Sequence, residues 1–349
     1  MLKPVFDVAR LKKMSESPSR NAAVNLPAPI LGISDRTRDV LSRVMYPALL
    51  AAPMGAWLWL WKTVGWEPNL AIMTVYWAYF LVLVVLERLL PFEPAWNRRD
   101  GQLKNDLILS ALGFPASTFA AIASLWVLTW AIKTFEPLVS LNVWPVHWPF
   151  AVQLILGVVL WDFGNNLAHR WAHKVPFIWR LHAVHHAAPR LSVVNTGRFH
   201  PLDLAKSVII GAPIPFLLGV PDDIALWYAA LNAFTGILTH ANIHLQCGIF
   251  NLFWSTPNTH RLHHSPDVRE TDTNYGEVTL IWDRLWGTYL KPTGVTPRNV
   301  GLGPDCLVST RLWDTLIHPF TLRGHRAPVG KRIVSLEPGE AGPAVAARE

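Results

Sequence analysis

The sequence predicts an all-α integral membrane protein: about four transmembrane helices, a re-entrant hairpin, and a cytoplasmic helical cap that carries a histidine cluster. Three observations predict it. The 349 residues are 51% hydrophobic and only 16% charged, where soluble globular domains carry about a quarter charged. Long apolar runs follow one another through the first half of the chain. Behind them, ten of the fourteen His crowd into two short windows.

Residues 1–40 mix Pro, Ser, Asn and scattered charges, the composition of a flexible N-terminal arm. No basic segment leads into a short apolar stretch with a small-residue cleavage site, so no signal peptide is expected. Residues 41–148 hold the N-terminal transmembrane helices. Val44–Trp61, Pro68–Leu86 and Leu107–Ile132 carry no charge, and a fourth run goes from Pro149 to Trp161 before meeting Asp162. Each is near or above the roughly 18 residues that make a spanning helix the default reading. Pro47, Pro53 and Pro115 lie inside these runs, as membrane helices tolerate. Buried core helices of a soluble protein are the alternative for any one run; four in series weigh against it.

Basic residues set the orientation. Arg36, Arg38 and Arg43 precede the first run; Arg88, Arg98, Arg99 and Lys104 separate the second from the third; Arg170, Lys174 and Arg180 follow the fourth. The other two loops offer chiefly Lys62 and Lys133. The excess of positive charge therefore puts both termini and the histidine windows on the cytoplasmic side of a multi-pass protein. Eighteen Trp suit the membrane–water boundary. The net charge of +7 comes without a basic stripe interleaved with aromatics, so no nucleic-acid partner is expected. Cys247 and Cys306 are too few for a disulfide framework.

Residues 149–292 form the histidine-bearing region. Within it, Ser207–Pro221 and Ile224–Thr239 are joined by Pro221-Asp222-Asp223 and read as a short re-entrant hairpin. Residues 293–349 are expected to be a C-terminal cap and a loose tail.

The histidines carry the chemistry. The first window reads His169-Arg-Trp-Ala-His173, then His182-Ala-Val-His185-His186. The second reads His240-Ala-Asn-Ile-His244, then His260-Arg-Leu-His263-His264. Residues three or four apart share a helix face, so each HxxxH pair and HxxHH triple can aim its rings at one point. Four such faces around one volume would supply about five nitrogens to each of two metals. A lone HxxxH is more often a satisfied surface or core pair; all four groups in this order weigh against that reading. Imidazole suits Zn, Cu, Fe and Ni alike. Zinc has no redox chemistry and its structural sites close at four ligands, so ten ligands beside lipid point to two redox metals that activate O2, with iron the best choice. His147, His318 and His325 read as an interfacial loop residue and two tail residues.

Three further residues are candidate catalytic groups beside the ligands. Asp162 and Asn166 share a helical stripe with His169 and His173, and Asp162 either accepts a hydrogen bond from a metal-bound imidazole or is an acid capped by Arg170 or interfacial water. His200, in Arg198-Phe-His-Pro201, is either an eleventh ligand, a group behind the ligands, or the structural residue of a pre-proline turn. Asn232, Gly236, His240 and His244 make a second stripe, in which Gly236 leaves room for a metal, an acyl chain or simple packing. Asn274 and Asp283 are expected to shape the cytoplasmic cap.

The order HRxxH, HxxHH, HxxxH, HxxHH across roughly residues 150–290 resembles the fatty acid hydroxylase and sterol desaturase superfamily, with Asp162, Arg198-Phe-His-Pro201 and the Asn-Tyr-Gly to Trp-Gly-Thr-Tyr289 stretch as supporting matches. The resemblance implies a non-haem di-iron centre at the cytoplasmic mouth of a helical bundle, with the ten motif histidines as ligands. It implies O2 as co-substrate and hydroxylation or desaturation of a lipid: a sterol, fatty acyl chain, carotenoid, sphingolipid or ether lipid. One departure is that Asn165 and Asn166 stand where aromatics are common, which leaves the pocket, and so the substrate, open. No haem-attachment, iron–sulfur or dinucleotide motif is present, so electrons are expected from a separate ferredoxin, cytochrome or reductase. A bis-His haem electron carrier and a zinc-dependent lipid hydrolase are the alternatives.

Overall fold

The structure, a computed structural model, describes residues 34–135, 143–293, 297–302, 308 and 311–321. The described residues are helical, with no strand beyond two isolated bridges. His325, Cys306 and most of the expected tail lie outside them, as do residues 1–33 of the expected arm.

Helix α1 (Asp35–Leu58) begins where Ser34 accepts the Thr37 N–H, inside the segment expected as arm. It runs through Pro47 and Pro53 into a π turn, Trp59–Thr63. Helix α2 (Pro68–Leu89) starts at an N1 proline with Glu67 as cap. Helix α3 (Leu103–Phe135) continues through Pro115, and α4 (Phe150–Lys174) carries the first histidines in its last two turns. These four helices are long and apolar enough to cross a membrane, and protein covers only 17–33% of their most apolar windows. Phe114, Phe119, Ile122, Trp126 and Trp130 of α3 are among the exposed side chains. So much outward apolar surface is foreign to a water-soluble monomer and normal against lipid.

The histidine-bearing elements are shorter. Helix α5 (Pro176–His186) follows α4 after a single extended residue, Val175. Helices α6 (Pro201–Gly211), α7 (Pro213–Leu217) and α8 (Asp222–His240) occupy the region expected as a hairpin. Its first arm is split after Gly211 and turns at Gly219, whose φ of 74° suits glycine. Helices α9 (Pro257–His263), α10 (Val268–Thr271), α11 (Ile281–Trp286) and α12 (Leu312–Ile317) complete the fold.

The largest buried cluster joins α1, α2 and α8 through Tyr46, Trp57, Leu83, Phe234 and Ile237, while α4 and α3 pack chiefly on α6. At the histidine end of α2 the buried Glu87 gathers two loops: one carboxylate oxygen accepts the N–H groups of Val193 and Asn242, both at 2.8 Å. Glu87→Ala would leave both donors buried without a partner, a loss of about 2–5 kcal/mol. Thermal unfolding in detergent should show a clearly lower Tm for Glu87→Ala, and Glu87→Gln, which keeps one acceptor oxygen, should recover most of the difference.

Candidate metal centre

Nine of the ten motif histidines meet in two adjoining groups. The ligand nitrogens of His169, His173, His182, His186 and His263 lie within 4.8 Å of one another, as do those of His185, His240, His260 and His264. All nine residues are buried. Each HxxHH triple divides between the groups. His182 and His186, four apart, face one group while His185 faces the other; His260 and His264 face the second group while His263 faces the first. Successive helical residues differ by about 100° around the axis, so neighbours such as His185 and His186 cannot point at one centre. The groups touch, with the His186 and His264 rings stacked at 4.3 Å.

The chain turns Nε2 inward by occupying Nδ1. His169 and His263 donate through Nδ1 to the carbonyls of Tyr275 and Thr273, each at 2.8 Å. His185 and His240 do the same to Arg198 and Gly236, each at 3.3 Å. A carbonyl only accepts, so each ring's proton sits on Nδ1 and its Nε2 presents a lone pair. His182 Nδ1 faces the Asp203 carboxylate at 2.8 Å, the carboxylate–imidazole pairing common behind metal ligands.

These lone pairs face one another. The Nε2 atoms of His185 and His240 are 3.2 Å apart, those of His240 and His260 3.2 Å, and those of His260 and His264 3.1 Å. In the first group the Nε2 atoms of His169, His173 and His263 are buried with no partner. A proton between such rings would leave a buried imidazolium. Burial instead pushes His240 and His263 down to about 4, and His182, His185, His186, His260 and His264 well below the ordinary histidine value. A metal cation resolves the arrangement: two nitrogens held about 2.1 Å from one ion stand roughly 3.0–3.4 Å apart. The residues present fit a pair of metals. They do not fit a bis-His haem, which would separate facing rings by a macrocycle.

The family model for fatty acid hydroxylase matches residues 154–288. Across 90% of this chain and 95% of the relative, the sequence is 35% identical to an ornithine lipid hydroxylase of Rhizobium tropici. It is 28% identical to the alkylglycerol monooxygenase of Danio rerio over 60% of this chain and 46% of that protein. A fatty acid hydroxylase of a Lecanicillium species is 30% identical over 48% of each. The chain belongs to the fatty acid hydroxylase family. It is accordingly an oxidoreductase, and its relatives are lipid hydroxylases and monooxygenases. No solved structure matches the chain.

The structure sets four expected site residues apart from the metal groups. His244 lies beyond the end of α8, which stops at His240. Buried Arg261 holds the carbonyls of Ala241 and Ile243 at 3.0 and 2.9 Å, Glu87 takes the Asn242 N–H, and the His244 N–H donates to Leu90. The chain is therefore extended where the HxxxH spacing presumes a helix, and His244 joins neither group. Asp162 accepts from the Val278 and Thr279 N–H groups at 3.1 and 3.0 Å and from the Thr279 hydroxyl at 2.7 Å, not from an imidazole. Asn166 donates to Asp283 at 2.9 Å. His200 caps α6 by accepting the Leu202 N–H, and its Nε2 donates to the Leu316 carbonyl at 3.1 Å, the structural role of a pre-proline turn. His147 is exposed in a loop.

Asp203 takes the part expected of Asp162. Its signal was faint: an acid in the first turn of a helix opened by His200-Pro201, one residue type among many that favour that turn. Asp283 and Asn274 hold the backbone of the loops beside the histidine groups. Asp283 accepts the N–H groups of Tyr275 and Gly276, each at 2.9 Å, and so fixes the carbonyl that orients His169. Asn274, at φ 54°, bonds Thr259 and Leu290.

Two outcomes follow for purified protein. His263→Ala should lose bound metal, measured as metal per chain by mass spectrometry, while His244→Ala should retain the wild-type amount; the opposite pattern would place His244 among the ligands. The metal-free protein should also weaken in acid. His240 and His263 have folded-state values of about 4 against an ordinary 6.5. Between those limits the unfolded chain binds protons that the buried rings refuse. Stability is therefore full above about pH 6.5 and falls toward pH 4, by about 1.4 kcal/mol per pH unit for each ring. Thermal unfolding of chelator-treated protein across that range measures it.

Proposed function

We propose that the chain is a membrane-bound, non-haem di-iron oxygenase that hydroxylates an unactivated C–H bond of a lipid, using O2 and electrons from a separate donor. The observation that carries this reading is the pair of adjoining groups of buried, neutral imidazoles with their lone pairs facing inward. His169, His173, His182, His186 and His263 would hold one iron; His185, His240, His260 and His264 would hold the other. Bound iron supplies the activation of O2 and the cleavage of the C–H bond.

The protein's own residues do the rest. Backbone carbonyls and Asp203 keep the Nδ1 protons pointed away from the centre, so the ligand nitrogens stay neutral and available. Phe199 stacks on His185 at 4.0 Å and Trp179 packs on His173 at 5.1 Å, which excludes water from both groups. The groups gather at the C-terminal end of α4, beside Arg170, Lys174 and Arg180. That basic flank supports a cytoplasmic site, with α6 to α8 dipping into the membrane as a re-entrant hairpin and an electron donor reaching the centre from the cytoplasm. The naming of the relatives as hydroxylases and monooxygenases favours hydroxylation over desaturation, and the ornithine lipid hydroxylase favours an aminoacyl lipid among the substrates.

The test is metal content followed by turnover. Protein produced with iron and without added zinc should carry about two irons per chain, as two imidazole groups imply. With a reductant and O2 it should convert one component of a lipid extract to a product one oxygen atom heavier. Folded protein that binds no metal, or product that forms equally without O2, would defeat the proposal.

A further inference from the structure

A polar cluster lies beside the metal groups and takes no part in holding them. Asn165, one turn before His169 on α4, donates its amide N–H groups to the Tyr228 hydroxyl at 2.8 Å and to the Glu277 carboxylate at 3.0 Å. The Asn232 amide of α8 lies near the same carboxyl and favours its charged form, while burial pushes the Glu277 carboxyl up to about 7. Among the described residues no cation pairs with Glu277. Lys206, whose charge it feels, is bound to Asp203 at 3.2 Å and to the Ala168 carbonyl at 3.3 Å.

The cluster borders open space. Asn165, Asn232, Gly236 and Glu277 are all only partly covered. Asn232, Gly236 and His240 follow at intervals of four on α8, so one stripe runs from the carboxylate to the second histidine group. A side chain at Gly236, midway along it, would meet nothing within 4 Å. That stripe spans roughly 12 Å, the reach of a lipid headgroup.

A carboxyl whose hydrogen-bond donor is a neutral amide, and whose nearest lysine is engaged by Asp203 and a carbonyl, has no ion-pair partner of its own within the fold. It is a good receptor for a cation that arrives with a ligand. The relative that matches nearly the whole chain is named for ornithine lipid, and ornithine carries an amine. We propose that Glu277, flanked by Asn165 and Asn232, binds the ammonium of an aminolipid headgroup, so that carbons near the headgroup, not the far end of an acyl chain, face the histidine groups. This deepens the lipid hydroxylase reading and rests on it. Asn165 would then be the residue that makes this part of the site polar.

The experiment compares a synthetic ornithine lipid with its N-acetylated form, which lacks the positive charge, on iron-loaded protein in phosphatidylcholine nanodiscs. Brominated acyl chains report binding by quenching tryptophan fluorescence. The free amine is expected to bind at least tenfold more tightly, and Glu277→Gln to erase that preference while both irons remain. Equal binding of the two lipids by the wild type, or an unchanged preference in Glu277→Gln, overturns the assignment. If Glu277→Gln fails to fold, the wild-type comparison still decides. A protein that holds iron and hydroxylates a neutral lipid without amine preference defeats only the headgroup site; one that holds no iron defeats the oxygenase reading and this site together.

Discussion

Nine uncharged imidazoles, buried with their lone pairs turned toward one another, are the constraint on which the rest of this structure depends. Left empty, such a cluster forfeits the hydrogen bonds its nitrogens would make to water. Protonating it would bury several like charges. Five of the rings are held in place through Nδ1 by backbone carbonyls or by Asp203. The carbonyl of Tyr275 meets His169 only because Asp283 takes the Tyr275 and Gly276 N–H groups and Asp162 takes those of Val278 and Thr279. The carbonyl of Arg198 meets His185 while its guanidinium, fully buried, bonds Asp106 at 2.7 Å and the Val184 carbonyl at 3.2 Å. One arginine thus ties α3, α5 and a ligand together.

The enclosed acids among the described residues are distinguished by their partners. Asp162 and Asp106 are met by backbone N–H groups, a hydroxyl or arginines, and Asp283 by two backbone N–H groups, the Thr288 hydroxyl and the Asn166 amide, and they position loops. Asp203 faces a ligand imidazole and a lysine. Glu277 is only partly covered, accepts from the Asn165 amide, and pairs with no cation among the described residues. In a low dielectric the charge of an acid must be answered locally, so a carboxylate whose answer is incomplete within the fold is suited to receive it from a ligand.

Much of this was legible in the sequence, for physical reasons that also mark where legibility ends. Apolar length alone located the four long helices, because lipid demands it. The histidine spacings located the two histidine groups because helical periodicity holds within His169–His173, His182–His186 and His260–His264. The same logic failed at His240–His244. Nothing in Ala241-Asn-Ile243 announces a helix end; it is imposed from a distance by Arg261 and Glu87, twenty and about 150 residues away in the chain. Asp162 sat on the correct stripe, yet it faces the Val278–Thr279 turn, a contact between residues more than 100 apart that no local pattern encodes. Asp203 escaped notice for the converse reason, its role being set by the packing of α6 on α5.

The splitting of each HxxHH triple explains why the spacing is so strict. Had each triple served one metal, the distance between the two centres would depend on loops, which are soft. Instead His185 and His186 are adjacent on one helix and belong to different groups, and so do His263 and His264. The separation of the two histidine groups is then set by about 100° of helical rotation at two places, a quantity as rigid as the backbone itself. A shift of α5 or α9 large enough to loosen one group must strain the other. The two groups therefore behave as one site, and the surrounding clamps on Tyr275, Thr273 and Arg198 need only keep the rings turned, because the helices already keep them apart.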